Sequence, residues 1–155
     1  MKKRIVVENL RSAYNVGNII RTADALSRGV IFVGYTARPD HKEVKKTALW
    51  AELTVPTLEF KEPGDALYYM NTHGLTIAAE ITEESIGLAH IHTHIALLDK
   101  AKGDLFVIVG NEITGIEWES LTKSDIICHI PMLGSKESLN VGQAAAIIMW
   151  ELQQL

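Results

Sequence analysis

Residues 105–132 have the sequence LFVIVGNEITGIEWESLTKSDIICHIPM, in which two apolar runs flank a more polar segment. The runs 105–110 and 126–130 are short and rich in β-branched residues, which is typical of buried strands. Between them, residues 118–123 fit a short helix. A strand, a helix and a strand in succession predict two parallel strands, because the helix returns the chain to the edge of the sheet where the first strand began.

The same alternation continues over the rest of the chain. Further strands are predicted at 4–7, 30–34, 54–60 and 75–81, and further helices at 15–27, 40–51, 63–72 and 140–152. Residues 82–102 have too mixed a pattern to be assigned. We therefore expect an α/β fold, a parallel sheet with helices on both faces, in a single domain of residues 1–155 without an extension domain.

Charge is unevenly distributed along the 155 residues. The formal net charge of −4 would argue against a nucleic-acid partner if it were spread evenly. Residues 1–46 hold ten Lys and Arg against four Asp and Glu, a balance of +6, whereas the other 109 residues hold five against fifteen and carry −10. An acidic body with a basic N-terminal third can present one positive face to a polyanion.

The cysteine content and the apolar runs bear on location. The single cysteine, Cys128, lies in an apolar stretch, where a free thiol usually behaves as a small buried hydrophobe, and this suits a reducing compartment. The longest apolar run, 144–150, is far shorter than the ~20 residues that span a bilayer. The basic residues 2–4 lead into no signal-type apolar segment, so we expect a soluble, cytoplasmic protein.

Polar residues collect at three places along the predicted elements. They are Asn15 with Asn18 and Arg21, Gly110-Asn111-Glu112 with Gly115, and Gly134 with Ser138 and Asn140. Ligands of open α/β sheets bind outside the carboxyl ends of the strands, so the three clusters can converge on one crevice.

Each cluster alone also has a purely structural interpretation. Asn15 and Asn140 both open a predicted helix as Asn-Val-Gly and are natural N-caps. Gly110 suits a tight turn after a strand, and a lone helical arginine such as Arg21 is usually solvated. Glu112 is either a general base or a carboxylate that approaches a helix.

Three segments taken together are more specific. They are NVGNIIRTAD at 15–24, VIVGNEITGI at 107–116 and IPMLGSKESLNV at 130–141. In order and spacing they resemble the three motifs of the SpoU (TrmH-like) RNA ribose 2'-O-methyltransferases of the SPOUT superfamily. The resemblance covers essentially the entire chain.

This resemblance implies a fold, an activity and a cofactor. The fold is an α/β knot, in which the C-terminal segment of a parallel-sheet domain forms a deep trefoil. The activity is transfer of a methyl group from S-adenosylmethionine to the ribose 2'-hydroxyl of tRNA or rRNA. By matched position, the residues that hold the cofactor are Gly110, Asn111, Glu112, Ile130, Met132, Ser138 and Leu139.

The resemblance also implies the catalytic residues. Arg21 is the family's catalytic residue, Asn15 helps to organise it, and Ser138 and Asn140 complete the site. A cation beside a developing 2'-alkoxide suits the reaction, whereas a guanidinium, whose pKa lies above ~12, is a poor general base. The role of Arg21 as base or as electrostatic stabiliser stays open at this point.

Two partners are expected, RNA and a second copy of the chain. Residues 140–152 are apolar on nearly every side, so this helix must be covered on more than one side, either by a second subunit or by a central place in the monomer. The resemblance implies a homodimer through the first and last helices. We expect tRNA rather than rRNA as the substrate, because no RNA-binding extension is present. The residues of the basic third that we expect to bind RNA are Arg11, Arg38, Lys42, Lys45 and Lys46.

Three residues depart from the family pattern. Asn18 stands where the family often has Ala. Ile113 follows the motif glutamate, at a position that commonly holds a small residue, and Gly142 occupies a position where Ser is frequent. None of them replaces a residue to which the chemistry is assigned.

Two alternatives stay open. His90, His92 and His94 alternate along the chain, so on a strand they would share a face that could hold zinc. No carboxylate or cysteine completes a recognisable spacing, and no metal is expected. The other alternative is a knotted RNA-binding scaffold without catalysis, although binding alone would not require the complete set of motif residues.

Overall fold

The chain folds around a single parallel sheet. The computed structural model describes the backbone of residues 1–155 and the side chains of residues 1–99 and 102–155. The strands are β1 (Lys3–Glu8), β2 (Gly29–Val33), β3 (Thr57–Phe60), β4 (Gly74–Ala79), β5 (Ile86–Gly87), β6 (Asp104–Val109) and β7 (Ile126–His129). Their order is β3-β2-β1-β6-β4-β7-β5, and every neighbouring pair is parallel. The predicted α/β class is confirmed.

Helices connect the strands. They are α1 (Ala13–Ala25), α2 (Lys42–Ala48), α3 (Pro63–His73), α4 (Ile91–Ala96), α5 (Trp118–Thr122) and α6 (Val141–Glu151). Short 3₁₀ segments occupy Ala51–Leu53, Leu88–His90, Asp99–Lys102 and Leu152–Gln154.

The sheet has an apolar core on each face, because successive side chains of a strand point to opposite faces. In β1, Ile5 and Val7 lie in one core and Val6 lies in the other. The first core also contains the buried residues of α1, α2 and α6, and the second contains those of α3. Helices therefore cover both faces, as the sequence predicted.

The predicted helix at 40–51 and the predicted strand at 54–60 are both shorter in the structure. Leu49 has a left-handed backbone, with φ 50°, and this ends α2. Ala51–Leu53 then form a 3₁₀ turn before β3 begins. Both changes come from local backbone geometry, which apolar periodicity does not report.

One helix start was predicted correctly and one was not. Ser12 is the N-cap of α1, and its Oγ accepts the N–H of Asn15, so the interpretation of Asn15 as an N-cap is wrong. Asn140 does cap α6, because its Oδ1 accepts the N–H of Gly142 at 2.9 Å and that of Gln143 at 3.4 Å.

The histidine-rich segment is helical. His90 ends a 3₁₀ turn, and His92 and His94 lie in α4, so the strand that would have placed three imidazoles on one face is absent from this described segment. His92 contacts Glu151, and Nδ1 of His94 contacts the carbonyl of His90. Among residues 1–99 and 102–155, no three His, Cys, Asp or Glu side chains are grouped so that they could hold a metal ion.

Helix α6 is covered on one side by its own chain. Its buried residues are Gly142, Ala145, Ile148 and Met149. On the other side Ile147 is 43% exposed and Trp150 is 67% exposed. Within the part of the chain that the structure describes, every helix is too short or too polar to cross a membrane.

Candidate functional site

A cavity of about 570 Å³ opens at the carboxyl ends of β4, β6 and β7, which are neighbours in the sheet. This edge is where parallel sheets bind ligands, and the volume lies in the range of small-molecule sites. The wall is formed mainly by residues 79–81, 109–113, 128–130 and 138–141. The second and third motif segments therefore meet here, as predicted.

The loop after β6 depends on two glycines. A Cβ at Gly110 would lie 2.4 Å from the carbonyl carbon of Gly115, so only glycine lets the two ends of the loop approach. Gly115 has φ 76°, and a Cβ there would lie 2.4 Å from Oε2 of Glu80. Asn111 and Gly115 exchange backbone hydrogen bonds of 3.0 and 2.9 Å, which close the turn.

The side chain of Asn111 holds this loop. Its Oδ1 accepts the N–H of Ile113 at 2.8 Å and that of Thr114 at 2.9 Å. Its Nδ2 donates to the carbonyl of Asn9 at 2.9 Å and to the hydroxyl oxygen of Tyr35 at 2.7 Å. The side-chain amide is thus fully engaged within the chain, and the backbone N–H of Asn111 is already paired with Gly115.

Glu112, Asn15 and Asn140 form a hydrogen-bonded chain across the three motifs. Nδ2 of Asn15 donates to Oε1 of Glu112 at 3.3 Å, and Nδ2 of Asn140 donates to Oδ1 of Asn15 at 3.1 Å. Asn140 in turn caps α6. A carboxylate beside the cavity is therefore linked through α1 to the start of the last helix.

The carboxylate of Glu112 also binds the start of α1. It accepts the backbone N–H of Arg11 at 2.9 Å and that of Ser12 at 3.0 Å. Partial burial acts to raise the pKa of Glu112, but the hydrogen bonds from backbone amides and from Asn15 outweigh it and lower the pKa below its ordinary value. This favours a charged carboxylate that approaches a helix over a general base.

The predicted site residues do not all share the cavity wall. Every residue predicted to bind the cofactor lies in the wall: Gly110, Asn111, Glu112, Ile130, Met132, Ser138 and Leu139. Asn140 lines it too, and Asn15 reaches it through Glu112 and Asn140. Arg21 is exposed on α1, six residues beyond Asn15, and is not part of the described wall.

The cationic residues predicted to bind RNA are placed differently from one another. They are Arg11, Arg38, Lys42, Lys45 and Lys46. All but Arg38 are exposed, and Lys46 pairs with Glu43 at 2.9 Å. Arg38 pairs with Glu59 at 3.2 Å and donates to two backbone carbonyls, so its guanidinium already serves the fold.

Two polar residues of the wall were missed at the level of sequence. Glu80 accepts the N–H of Ile81 at 3.1 Å and that of Ile116 at 3.2 Å, which ties the end of β4 to the loop after β6. His129 lies in the wall with Nδ1 at 2.9 Å from Oγ of Ser85. Each stands at the end of an apolar strand, the same signal that singled out Gly110.

Two of the departures from the family pattern are neighbours in space. A Cβ at Gly142 would lie 3.7 Å from Cβ of Asn18 and 3.2 Å from Oδ1 of Asn140. The larger side chain at 18 is thus matched by a smaller one at 142. The third departure, Ile113, lies in the wall but is 72% exposed.

The wall suits a ligand that is cationic rather than phosphorylated. It carries the carboxylates of Glu80 and Glu112, and none of its described residues is Lys or Arg. Burial raises the pKa of the Cys128 thiol to about 12, so the wall contains no thiolate near neutral pH. Apolar residues of β6, β7 and α6 provide the rest of the surface.

Known proteins resemble the chain over nearly its whole length. A 23S rRNA (uridine(2479)-2'-O)-methyltransferase of Streptomyces viridochromogenes is 28% identical over 95% of this chain and 50% of its own. A tRNA (guanosine(18)-2'-O)-methyltransferase of Escherichia coli (strain K12) is 28% identical over 97% of this chain and 62% of its own. The chain thus spans between half and two thirds of the length of these relatives.

A solved structure and a family profile agree with these relatives. The AdoMet-bound rRNA methyltransferase of Sinorhizobium meliloti has the same fold, with a TM-score of 0.85, 23% identity and coverage of 99% of this chain and 56% of its own. The sequence profile of the SpoU rRNA Methylase family matches residues 2–150. The chain belongs to the SpoU rRNA Methylase family.

Proposed function

We propose that this chain transfers a methyl group from S-adenosylmethionine to a ribose 2'-hydroxyl of RNA. The observation that carries the proposal is the hydrogen-bonded chain of Glu112, Asn15 and Asn140 beside the cavity. The fold brings Asn15 and Asn140 together although 125 residues separate them in the sequence. The printed activities of the two relatives support it, since both are RNA 2'-O-methyltransferases.

The chemistry of the cavity fits this cofactor. S-adenosylmethionine carries a sulfonium cation and no phosphate, which matches a wall with two carboxylates and no described Lys or Arg. The residues to which we assign its binding are Gly110, Asn111, Glu112, Ile130, Met132, Ser138 and Leu139. When bound, the cofactor supplies an electrophilic methyl group.

We assign Arg21 to the 2'-oxygen of the RNA. Transfer requires this oxygen to lie in line with the methyl carbon and to lose its proton as the new C–O bond forms and the C–S bond breaks. A guanidinium remains protonated, so Arg21 would stabilise the developing negative charge while the proton leaves to solvent. Asn15 and Asn140 hold the two helix starts in place, and Ser138 contributes its hydroxyl to the wall.

A homodimer through α1 and α6 would complete this site. Ile147 and Trp150 leave apolar surface uncovered on α6, and Tyr14 of α1 is half exposed. Because Arg21 lies outside the wall of its own chain, we propose that a second copy packed on this face brings its Arg21 towards the cavity. The double variant Ile147→Glu, Trp150→Glu should sediment as a monomer, whereas Trp118→Glu should not change the mass. An unchanged mass for the double variant would contradict the dimer.

The test of the activity is transfer of tritiated methyl groups from labelled cofactor to total tRNA and rRNA. We expect label in the wild-type reaction, a 2'-O-methyl nucleotide on digestion, and loss of label with Arg21→Ala. We propose tRNA as the substrate, and label confined to rRNA would overturn that choice. A second measurement is thermal stabilisation, which we expect S-adenosylhomocysteine to produce. Stabilisation by zinc alone would contradict the methyltransferase proposal.

We also propose the trefoil knot that the family resemblance implies. Its support is the path of the C-terminal segment: residues 130–140 leave β7 at the cavity edge, and α6 then packs in the same core as α1. An experimental structure in which this segment passes outside the neighbouring loops would contradict the knot.

A cytoplasmic location is the last part of the proposal. Its support is the buried free thiol of Cys128, which suits a reducing compartment. Recovery of the protein in the membrane or secreted fraction of fractionated cells would contradict it.

A further inference from the structure

The residues that follow α2 expose a tryptophan on an unusual backbone. Leu49 and Trp50 are consecutive and both left-handed, with φ 50° and 76°, although neither is glycine. Trp50 is 76% exposed and Leu49 is 54% exposed. Such backbones are unfavourable for L-residues and persist only where the surrounding structure enforces them.

Contacts on both sides enforce this turn. Before it, Oγ1 of Thr47 donates to the carbonyl of Tyr14 at 2.9 Å. After it, Oγ1 of Thr54 donates to Oδ1 of Asp24 at 2.7 Å. Ala51, between the two threonines, is buried. The turn that carries Trp50 is therefore fixed against α1 at both ends.

These contacts place the turn beside Arg21. A Cβ at Gly17 of α1 would meet backbone of α2 at 2.4 Å, so α2 crosses α1 there. Positions 17, 21 and 24 share one face of a helix, and Arg21 lies between Gly17 and Asp24 on that face. The chain from Thr47 to Thr54 runs along the same face, with Trp50 in the middle.

The charges beside Trp50 favour a nucleic acid over a protein partner. Lys42, Lys45 and Lys46 of α2 are exposed just before the turn, and Arg21 is exposed on α1. An unpaired nucleotide offers a flat base for an indole and a phosphate for an ammonium group at the same time. An apolar protein surface would contact the indole but would offer no acceptor to the ammonium groups of Lys42 and Lys45, whereas Lys46 already pairs with Glu43.

We propose that Trp50 is a stacking platform for an unpaired base of the RNA substrate, next to the nucleotide whose ribose Arg21 serves. This rests on the proposed methyl transfer and narrows its substrate to single-stranded or loop nucleotides. Base stacking is largely independent of base identity, so Trp50 would position the RNA without selecting for its sequence.

The experiment compares the wild-type chain with Trp50→Ala, Trp50→Phe and Trp118→Ala on the tRNA fraction that the wild type labels. Trp118 is the matched control, because it is also 76% exposed but lies on α5, outside the core that contains α1 and α2. We expect Trp50→Ala to raise the RNA Kd and KM about tenfold, Trp50→Phe to retain most affinity, and Trp118→Ala to change neither. Binding of S-adenosylhomocysteine and the sedimenting mass should be unchanged in all variants.

The outcomes separate this proposal from the proposed function. A wild type that binds and labels no RNA removes both. An active wild type with equal RNA Kd and KM for Trp50→Ala overturns the stacking role alone. A Trp50→Ala variant that sediments as a monomer would assign the tryptophan to the contact between two copies and would equally overturn it.

Discussion

At the scale of single residues, the site is assembled from groups that are far apart in the sequence. The sequence predicts which residues belong together, because polar residues after apolar strands collect at one edge of a parallel sheet. It does not predict what each one contacts. The sequence allows two roles for Glu112, a general base or a carboxylate that binds the start of a helix. Only its contacts with Arg11 and Ser12 distinguish the two roles. Such contacts depend on how separate elements pack, which no local pattern encodes.

Glu112→Gln should lower stability near neutral pH by about 1 kcal/mol, because a charged acceptor of backbone N–H groups is lost at a partly solvated site. The lowered pKa means that this carboxylate stabilises the fold while it is charged, above its unfolded value of about 4.5, and ceases to do so as pH falls through the folded value. Urea denaturation of both proteins should therefore show their difference shrinking between about pH 5 and pH 3. Glu84→Gln, at another exposed position, is the control. A difference that grows on acidification would rule out this role.

Arg21→Lys tests the role of the guanidinium. If Arg21 stabilises charge, we expect the methyl-transfer rate to fall by about 10- to 100-fold, because an ammonium lacks the planar fork of donors, and the pH–rate profile to keep its shape. If Arg21 were a base, the lower pKa of lysine would move the rise in rate to lower pH. Single-turnover rates between pH 6 and pH 10 measure the profile, and an unchanged rate and profile would argue against either role.

At the scale of elements, α1 is the centre of the molecule. Its N-terminus meets Glu112, its middle packs against α2 at Gly17, and it contacts α6 at Gly142. The sequence predicts most strands and helices because long apolar runs report burial directly. The prediction from sequence misses Ser12 as the N-cap of α1, because a side-chain cap leaves no periodicity to detect. It also assigns nothing to residues 82–102, where the elements are only a few residues long.

Gly17→Ala should destabilise the protein by about 1–3 kcal/mol, because the new methyl group would lie 2.4 Å from the carbonyl oxygen of Val44 and 3.0 Å from the amide of Ala48. Both are backbone atoms, so α2 as a whole must move. Gly64→Ala in α3 is the matched control, since nothing lies within 4 Å of its Cβ, and it should stabilise by about 0.5 kcal/mol. Urea denaturation measures both. Equal effects of the two substitutions would show that α1 and α2 are not in close contact.

At the scale of the whole molecule, the two charge regions found in the sequence take different parts of the surface. Several cations of the basic third serve the fold: Arg4 pairs with Asp104, Arg38 pairs with Glu59, and Arg28 is buried. Burial lowers the pKa of Arg28 to about 10. The balance of +6 therefore overstates the charge offered to a polyanion, and the lysines of α2 carry much of what remains.

Replacement of Lys42, Lys45 and Lys46 by Gln should weaken RNA binding and leave the affinity for S-adenosylhomocysteine unchanged, because α2 contributes nothing to the described cavity wall. Each lysine that neutralises a phosphate releases about one counterion, so loss of two or three contacts should reduce the slope of log K against log salt by about 2. Binding is measured from low to moderate salt with the same RNA. The control replaces Lys61, Lys102 and Lys123, which are also exposed and change the net charge equally. If both triple variants reduce the slope alike, the effect belongs to net charge and not to α2, and if the α2 variant also loses cofactor affinity, the two functions do not occupy separate surfaces.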